Sequence, residues 1–439
     1  MTLLIVALCI AILILLISAA RINAFLCFLI VSIMAGLLLG IPAQKVIQSV
    51  EKGLGDTLGS LVIIVFTGAM LGKLIADSGA ASQIAGTMMR AFGVKYINWA
   101  MVLTGFIIGI PLYYGVGFVL MVPLVFSITY RYKLPAVATG IPLLAALSVT
   151  HGYLPPHPSP SALVLQFNAD MGLTLIYGII IAIPAIILAG PVFASTLKGI
   201  RSEPLDMFVS KEDTNTNIPG VGISFFTALL PVLLLAATSV SPYFFKGSNA
   251  FTQTLALIGQ PPVVMLIALT FATITLGTNR GKSIKQVMFV YTDAIKDIVV
   301  VVLIMGGSGA LKQVLTDSGA SVEIANMLKN VSLPPLVLGW LIAAVLRACV
   351  GSATVAGLTA AGIIAPLLGQ TNVNPNLMVL SIGAGSLMFS HVNDSGFWLY
   401  KEYFNVSLKD TIKSWSVMEA IVSTAGLGGV LVLELFVGK

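Results

Sequence analysis

The sequence predicts an all-α, polytopic membrane protein built from two inverted-topology repeats, and three observations predict it. Charged residues make up only 9% of the chain against 57% hydrophobic, with a mean hydropathy of +1.02, whereas a soluble domain carries about 25% charged residues. Apolar runs of bilayer-crossing length, about 20 residues each, recur from end to end. Third, the chain repeats itself. Asp77-Ser78-Gly79-Ala80 returns as Asp317-Ser318-Gly319-Ala320, a shift of 317 − 77 = 240, and the same shift carries Leu147 to Leu387 and His151 to His391.

The elements follow in order. The first half reads as spans near 3–20, 24–41 and 57–77, then an amphipathic stretch at 81–93. An apolar segment at 97–129 is interrupted near PLYYGVG (Pro111–Gly117), a broken span covers 137–166, and a last span covers 172–195. The second half repeats the plan, with spans near 222–242, 259–277 and 291–315 and an amphipathic stretch at 321–330. Its interrupted segment is 334–369 around CVGSATVAG (Cys349–Gly357), its broken span 377–398, its last span 412–437. The predicted domains are therefore a first repeat, 1–196, a polar linker, 197–220, and a second repeat, 221–439.

Each interrupted segment reads either as two full spans or as a re-entrant hairpin. With hairpins, each repeat has about five crossings. That odd number inverts the second repeat relative to the first. One side then collects Arg21, Arg90, Lys95, Arg131, Lys133, Lys198, Arg201, Lys211, Arg280, Lys282, Lys285, Lys401, Lys409 and Lys413, and the other Lys45, Lys52, Lys246, Lys312, Lys329 and Lys439. Basic residues favour the cytoplasmic side, so both termini are expected outside. The opening apolar run has no basic residue before it, and Arg21 follows it. It reads as a signal anchor rather than a cleaved leader.

Four non-helical elements are expected to converge near the bilayer midplane: PLYYGVG, HGYLPPHPSP (His151–Pro160), CVGSATVAG and SHVNDSGFW (Ser390–Trp398). Irregular backbone at membrane depth persists only where protein or a watery cavity satisfies it, and inverted-repeat carriers place their sites at such breaks. The chain's three histidines, His151, His157 and His391, all fall in two of these breaks. A lone histidine near a helix end is ordinarily a cap or core residue; their shared placement in symmetric breaks favours ligand or proton chemistry. The candidate substrate-binding residues are Tyr113, Tyr114, His151, Pro156, His157, Ser159, Arg347, Gly351, Ser352, Thr354, Ser390, His391 and Asn393. Arg347 suits either a substrate carboxylate, through its planar fork, or an ion pair with Asp394. Asp394, with His151 or His391 as partner, is the candidate carrier of a coupled proton, since ionisable groups in apolar segments are costly and usually functional. Both DSGA motifs read as structural, Gly ending one helix and Asp or Ser capping the next.

Other function classes find little support. HExxH, GxSxG and GxxxxGK[ST] are absent, which argues against an intramembrane enzyme or a nucleotide-driven pump. Cys9, Cys27 and Cys349 form no CxxC pair, and the histidines lack the carboxylate or thiolate partners of a metal carrier. Basic residues are scattered among loops, so nucleic acid is not an expected partner. No cofactor is expected. The coupling ion is a proton, or sodium held by exposed carbonyls with Ser352, Thr354 and Asn393.

At these residues the chain resembles the gluconate permease family, the gluconate:proton symporters of the ion transporter superfamily. The resemblance rests on GAMLGKLIADSG, ALSVTHGYLPPHP, FNADMG, AGP at Ala189–Pro191, GSATVAG, SHVND and GFWLYKEYFN, and spans nearly the whole chain. It implies inner-membrane proton symport of gluconate or a related sugar acid, with D-serine carriers as a side branch. It also implies two re-entrant hairpins, a scaffold and a moving, elevator-type transport domain, and a homodimer. Three departures bear on the site. The family's Tyr-Glu-Val-Gly is here Tyr114-Gly115-Val116-Gly117, its HPGPTA is HPSPSA (His157–Ala162), and its HVNDPGFW is HVNDSGFW.

Overall fold

The computed structural model describes residues 2–112, 114–202, 218–245, 249–320, 323, 333–368, 372–391 and 394–437. Among them all regular structure is helical: α1 (Thr2–Ser18), α2 (Ala24–Leu38), α3 (Ala43–Asp77), α4 (Ala80–Phe92), α5 (Ile97–Gly109), α6 (Tyr114–Tyr132), α7 (Ala136–Tyr153) and α8 (Pro158–Gln166). They continue as α9 (Met171–Val192), α10 (Val221–Phe244), α11 (Ala250–Ile258), α12 (Pro261–Arg280) and α13 (Ile284–Asp317). The last five are α14 (Pro335–Val350), α15 (Ala353–Leu368), α16 (Pro375–Gly385), α17 (Ser395–Phe404) and α18 (Leu408–Val437). Five stretches are single apolar runs long enough to cross a bilayer, and up to seven if two bent pairs each count as one. Large apolar side chains such as Leu4, Leu15, Leu435 and Phe436 stay exposed at the helix surfaces, as lipid-facing residues do in a protein with no aqueous surface to form there. The chain is a multi-pass membrane protein.

Matched elements fall at the sequence shift. The long helices α3 and α13 both end in Asp-Ser-Gly, with Gly79 and Gly319 left-handed at φ 78° and 75°. Ser78 and Ser318 then accept from the amides of Ala80 and Ala320, so both motifs stop a long helix and the first also starts α4. Lys282 Nζ donates to the Asp77 carbonyl at one end of the pair, and Ser49 Oγ to Asp317 at the other. The two copies therefore run antiparallel, the relation an inverted repeat requires. They cross where a Cβ on Gly309 would lie 2.0 Å from Thr57 Oγ1 and one on Gly53 2.3 Å from the Gly309 carbonyl; only glycine permits this approach.

Several boundaries differ from expectation. The span expected at 57–77 is a 35-residue helix, because its first part, 43–59, is amphipathic and lies at 44° to the apolar part. A Gly59-Ser60 pair stands at the bend, a usual cause of kinks. Helix α11 had no counterpart in the expected plan. The amphipathic helix at 80–92 meets the following segment at 107°, while its copy at 321–330 falls almost entirely outside the described residues. Helix α14 is 16 residues long, about 24 Å at about 1.5 Å per residue, and the hydrocarbon core is about 30 Å thick. It packs against α15, the length and pairing of a hairpin arm.

Candidate functional site

Both broken spans break where proline and glycine disfavour helix. The first stops at Tyr153 and restarts at Pro158, which is tolerated at a first helical position. The second stops at Gly385, earlier than the expected Ser390, and restarts at Ser395 with Asp394 as N-cap, its carboxylate accepting from the Gly396 amide at 2.9 Å. Helix α8 lies against α15 and α16, so the first break meets the second hairpin and the second broken span.

A run of side-chain contacts links all four interruptions. His157, buried, bonds through Nε2 to the Gly109 carbonyl at 2.6 Å, at the end of the first hairpin's leading arm. The His157 and His151 rings lie 5.4 Å apart, His151 and Tyr114 5.8 Å, and Tyr114 and Trp415 6.1 Å. Trp415 Nε1 donates to Ser390 Oγ at 2.8 Å, Ser390 donates to Asp394, and Asp394 pairs with Arg347. Arg347 returns to the second hairpin's tip by donating to the Gly351 carbonyl. The sequence left two partners open for Arg347, substrate or Asp394, and the guanidinium is here paired with Asp394. Both are buried, at 5% and 9% exposure.

The remaining candidates have these places. Gly351 ends α14 in the left-handed region, at φ 77°, and Ser352 Oγ accepts from the Val355 amide at 3.4 Å, so both shape the tip. Thr354 is buried in the first turn of α15. Pro156 and His157 line a narrow cleft with Ile110 and Pro111, facing Gly68 of α3, Met265 of α12 and Ile298 of α13. Ser159 Oγ lies 3.5 Å from where a Cβ on Gly357 would be. His391 bonds to the Ala348 carbonyl at 2.9 Å and its ring lies beside Phe389, so it joins the second hairpin rather than the His151–His157 pair. Tyr113 and Asn393 lie outside the described residues. Among the described residues this contact network joins the four breaks, and of the four the cleft is lined by the first hairpin and the first break. A Cβ on Gly115 would meet nothing within 4 Å; the position has room for a side chain.

Three buried donors within this network, Tyr114 Oη, Ser159 Oγ and Arg347 Nε, have no hydrogen-bond partner among the described residues. An unmet buried polar group costs about 1–3 kcal/mol, which a bound ligand offsets. Two residues missed by sequence reasoning belong here. Trp415 ties Tyr114 to Ser390. Glu419, one turn further along α18, is 2% exposed and accepts from Ser148 Oγ of α7 at 2.9 Å. A lone acid in an apolar span was the signal available for it.

A buried ion pair and unmet donors, held where broken helices and hairpins meet inside a lipid-facing bundle, define a membrane transporter rather than an enzyme. The comparisons agree. The model of the GntP family permease matches residues 1–436, and the chain belongs to that family. It is 49% identical to a high-affinity gluconate transporter of Escherichia coli (strain K12), with all of both chains covered. It is 44% identical to a gluconate permease of Bacillus subtilis (strain 168), again over all of both chains. Identity to the Gnt-II system L-idonate transporter of Escherichia coli (strain K12) is 43%, over 99% of each. Among solved structures, the YdaH transporter of Alcanivorax borkumensis has the same fold at a TM-score of 0.66 and 13% identity, covering 94% of this chain and 97% of its own. MtrF of Neisseria gonorrhoeae matches at 0.65 and 14%, covering 88% and 83%.

Proposed function

We propose that this protein imports gluconate or a closely related sugar acid across a bacterial inner membrane by proton symport, working as two inverted repeats, 1–196 and 221–439, around the linker. The observation that carries the reading is Arg347. A buried guanidinium whose Nε has no hydrogen-bond partner among the described residues, beside a hairpin tip, offers a planar donor to a carboxylate. Tyr114 and Ser159 supply hydroxyl donors of the kind a polyhydroxylated chain needs. The substrates named for the relatives, gluconate and L-idonate, are both small hydroxylated carboxylates. The geometry supports the following cycle. Substrate binds across the breaks, its carboxylate taking up Arg347 donors, and the closed site then faces the opposite side before release.

The test is uptake by the purified protein in vesicles, with labelled gluconate, L-idonate, D-serine and glucose under imposed pH or sodium gradients. Gluconate or L-idonate is expected to accumulate when the outside is acidic, and glucose is not. Accumulation driven only by sodium, or D-serine preferred over both sugar acids, overturns the respective half of the reading.

A further inference from the structure

We propose that Glu419 carries the coupled proton; this rests on the symport reading above. Glu419 sits inside α18, closed off from solvent, and among the described residues its hydrogen bond is the 2.9 Å contact from the Ser148 hydroxyl. A carboxylate in apolar surroundings with a single donor is costly, whereas the neutral acid needs no counter-ion. Asp394 is differently placed. Its oxygens are engaged by Arg347, Ser390 and the Gly396 amide, so protonating it breaks a buried ion pair. Protonating Glu419 breaks none.

The surroundings connect Glu419 to the site. Trp415, one turn earlier on the same face, reaches Ser390 and thereby the Arg347–Asp394 pair. His151 lies one turn beyond Ser148 on α7. The titratable and charged groups around Glu419 are Tyr153 of α7, Tyr114 of α6, Arg347 of α14 and Asp394 before α17, the fields of Arg347 and Asp394 both reaching it, with Tyr400 of α17 stacked on Trp415. Of the other helices packed on α18, α16 has no titratable residue and α9 only Tyr177. Tyr153 donates to the Val422 carbonyl at 2.6 Å where Gly426 leaves room for it, a Cβ there lying 2.1 Å from Tyr153 Oη. This holds α7 and α18 in register, and with them the Ser148–Glu419 contact. Coupling then has a physical route: an incoming carboxylate adds one negative charge where Asp394 already balances Arg347, and a proton taken up by Glu419 offsets it, so the site keeps the same net charge loaded and empty.

The experiment compares wild type, E419Q and E419D in vesicles, reading gluconate accumulation under a pH gradient and gluconate counterflow without one. Proton uptake on gluconate binding is read separately, in detergent and weak buffer. E419Q is expected to lose accumulation and binding-linked proton uptake while keeping counterflow, and E419D to keep all three. Wild-type accumulation matched by E419Q overturns the assignment while leaving symport intact. Loss of counterflow in both variants, with protein that still elutes as a folded species, also overturns it by making Glu419 a packing residue. Wild type that moves no gluconate under any gradient fails the symport reading itself, a separate outcome.

Discussion

Arg347 is held by geometry a lysine lacks. One guanidinium nitrogen reaches Asp394 and another the Gly351 carbonyl, so a single planar group ties the second break to the second hairpin. Lysine is a point charge on a flexible stem and cannot fork in this way. Arg347→Lys is therefore expected to weaken gluconate binding by at least about tenfold, roughly 1.4 kcal/mol, seen as a raised half-saturation concentration for counterflow. Removing one member of a buried pair leaves an uncompensated charge and typically costs about 3–5 kcal/mol. Asp394→Asn and Arg347→Gln should each lower the unfolding midpoint in detergent, and the double variant should fall short of their sum. Additive losses would mean that the two side chains act independently.

At the scale of elements, the antiparallel α3–α13 pair depends on close backbone approach. Gly309→Ala places a methyl against Thr57 and the Gly53 carbonyl, and overpacking of this kind costs about 1–3 kcal/mol. Thermal unfolding of the purified variant should begin several degrees earlier than in wild type; an unchanged midpoint would show that the helices part without penalty. The same pair carries an ion cluster, Lys73 with Asp293 and Asp297, each at 3.0 Å. Those charges lie toward the end where Lys282 meets Asp77. The breaks belong to this scale too. Proline and glycine mark where helix stops, but the second span unwinds from Ser386, ahead of the motif that named it.

For the whole molecule, orientation follows from charge. From fourteen basic residues assigned to one side against six on the other, we propose that the linker faces the cytoplasm and both ends the outside. A phosphatase active only outside the cytoplasm, fused after Val437, should be active, and one inserted at residue 210 should be silent. The reverse pattern would turn the whole assignment over.

Composition and the 240-residue shift determined the membrane class and the four interruptions, because hydrophobicity, proline and glycine act locally on the backbone. The same reading put Asp394 in the second break and Arg347 beside the second hairpin's tip. Only tertiary structure decided that they pair, that His157 bonds to the Gly109 carbonyl of the first hairpin while the His151 ring lies beside Tyr114, and that His391 bonds to the second. Glu419 shows the division most clearly. As a letter in VMEAIVSTAG it is one acid in an apolar run. Its meaning comes from Ser148, 271 residues away in sequence and 2.9 Å away in space, because a buried carboxyl is defined by which donors and charges the fold brings to it, and no local pattern encodes those partners.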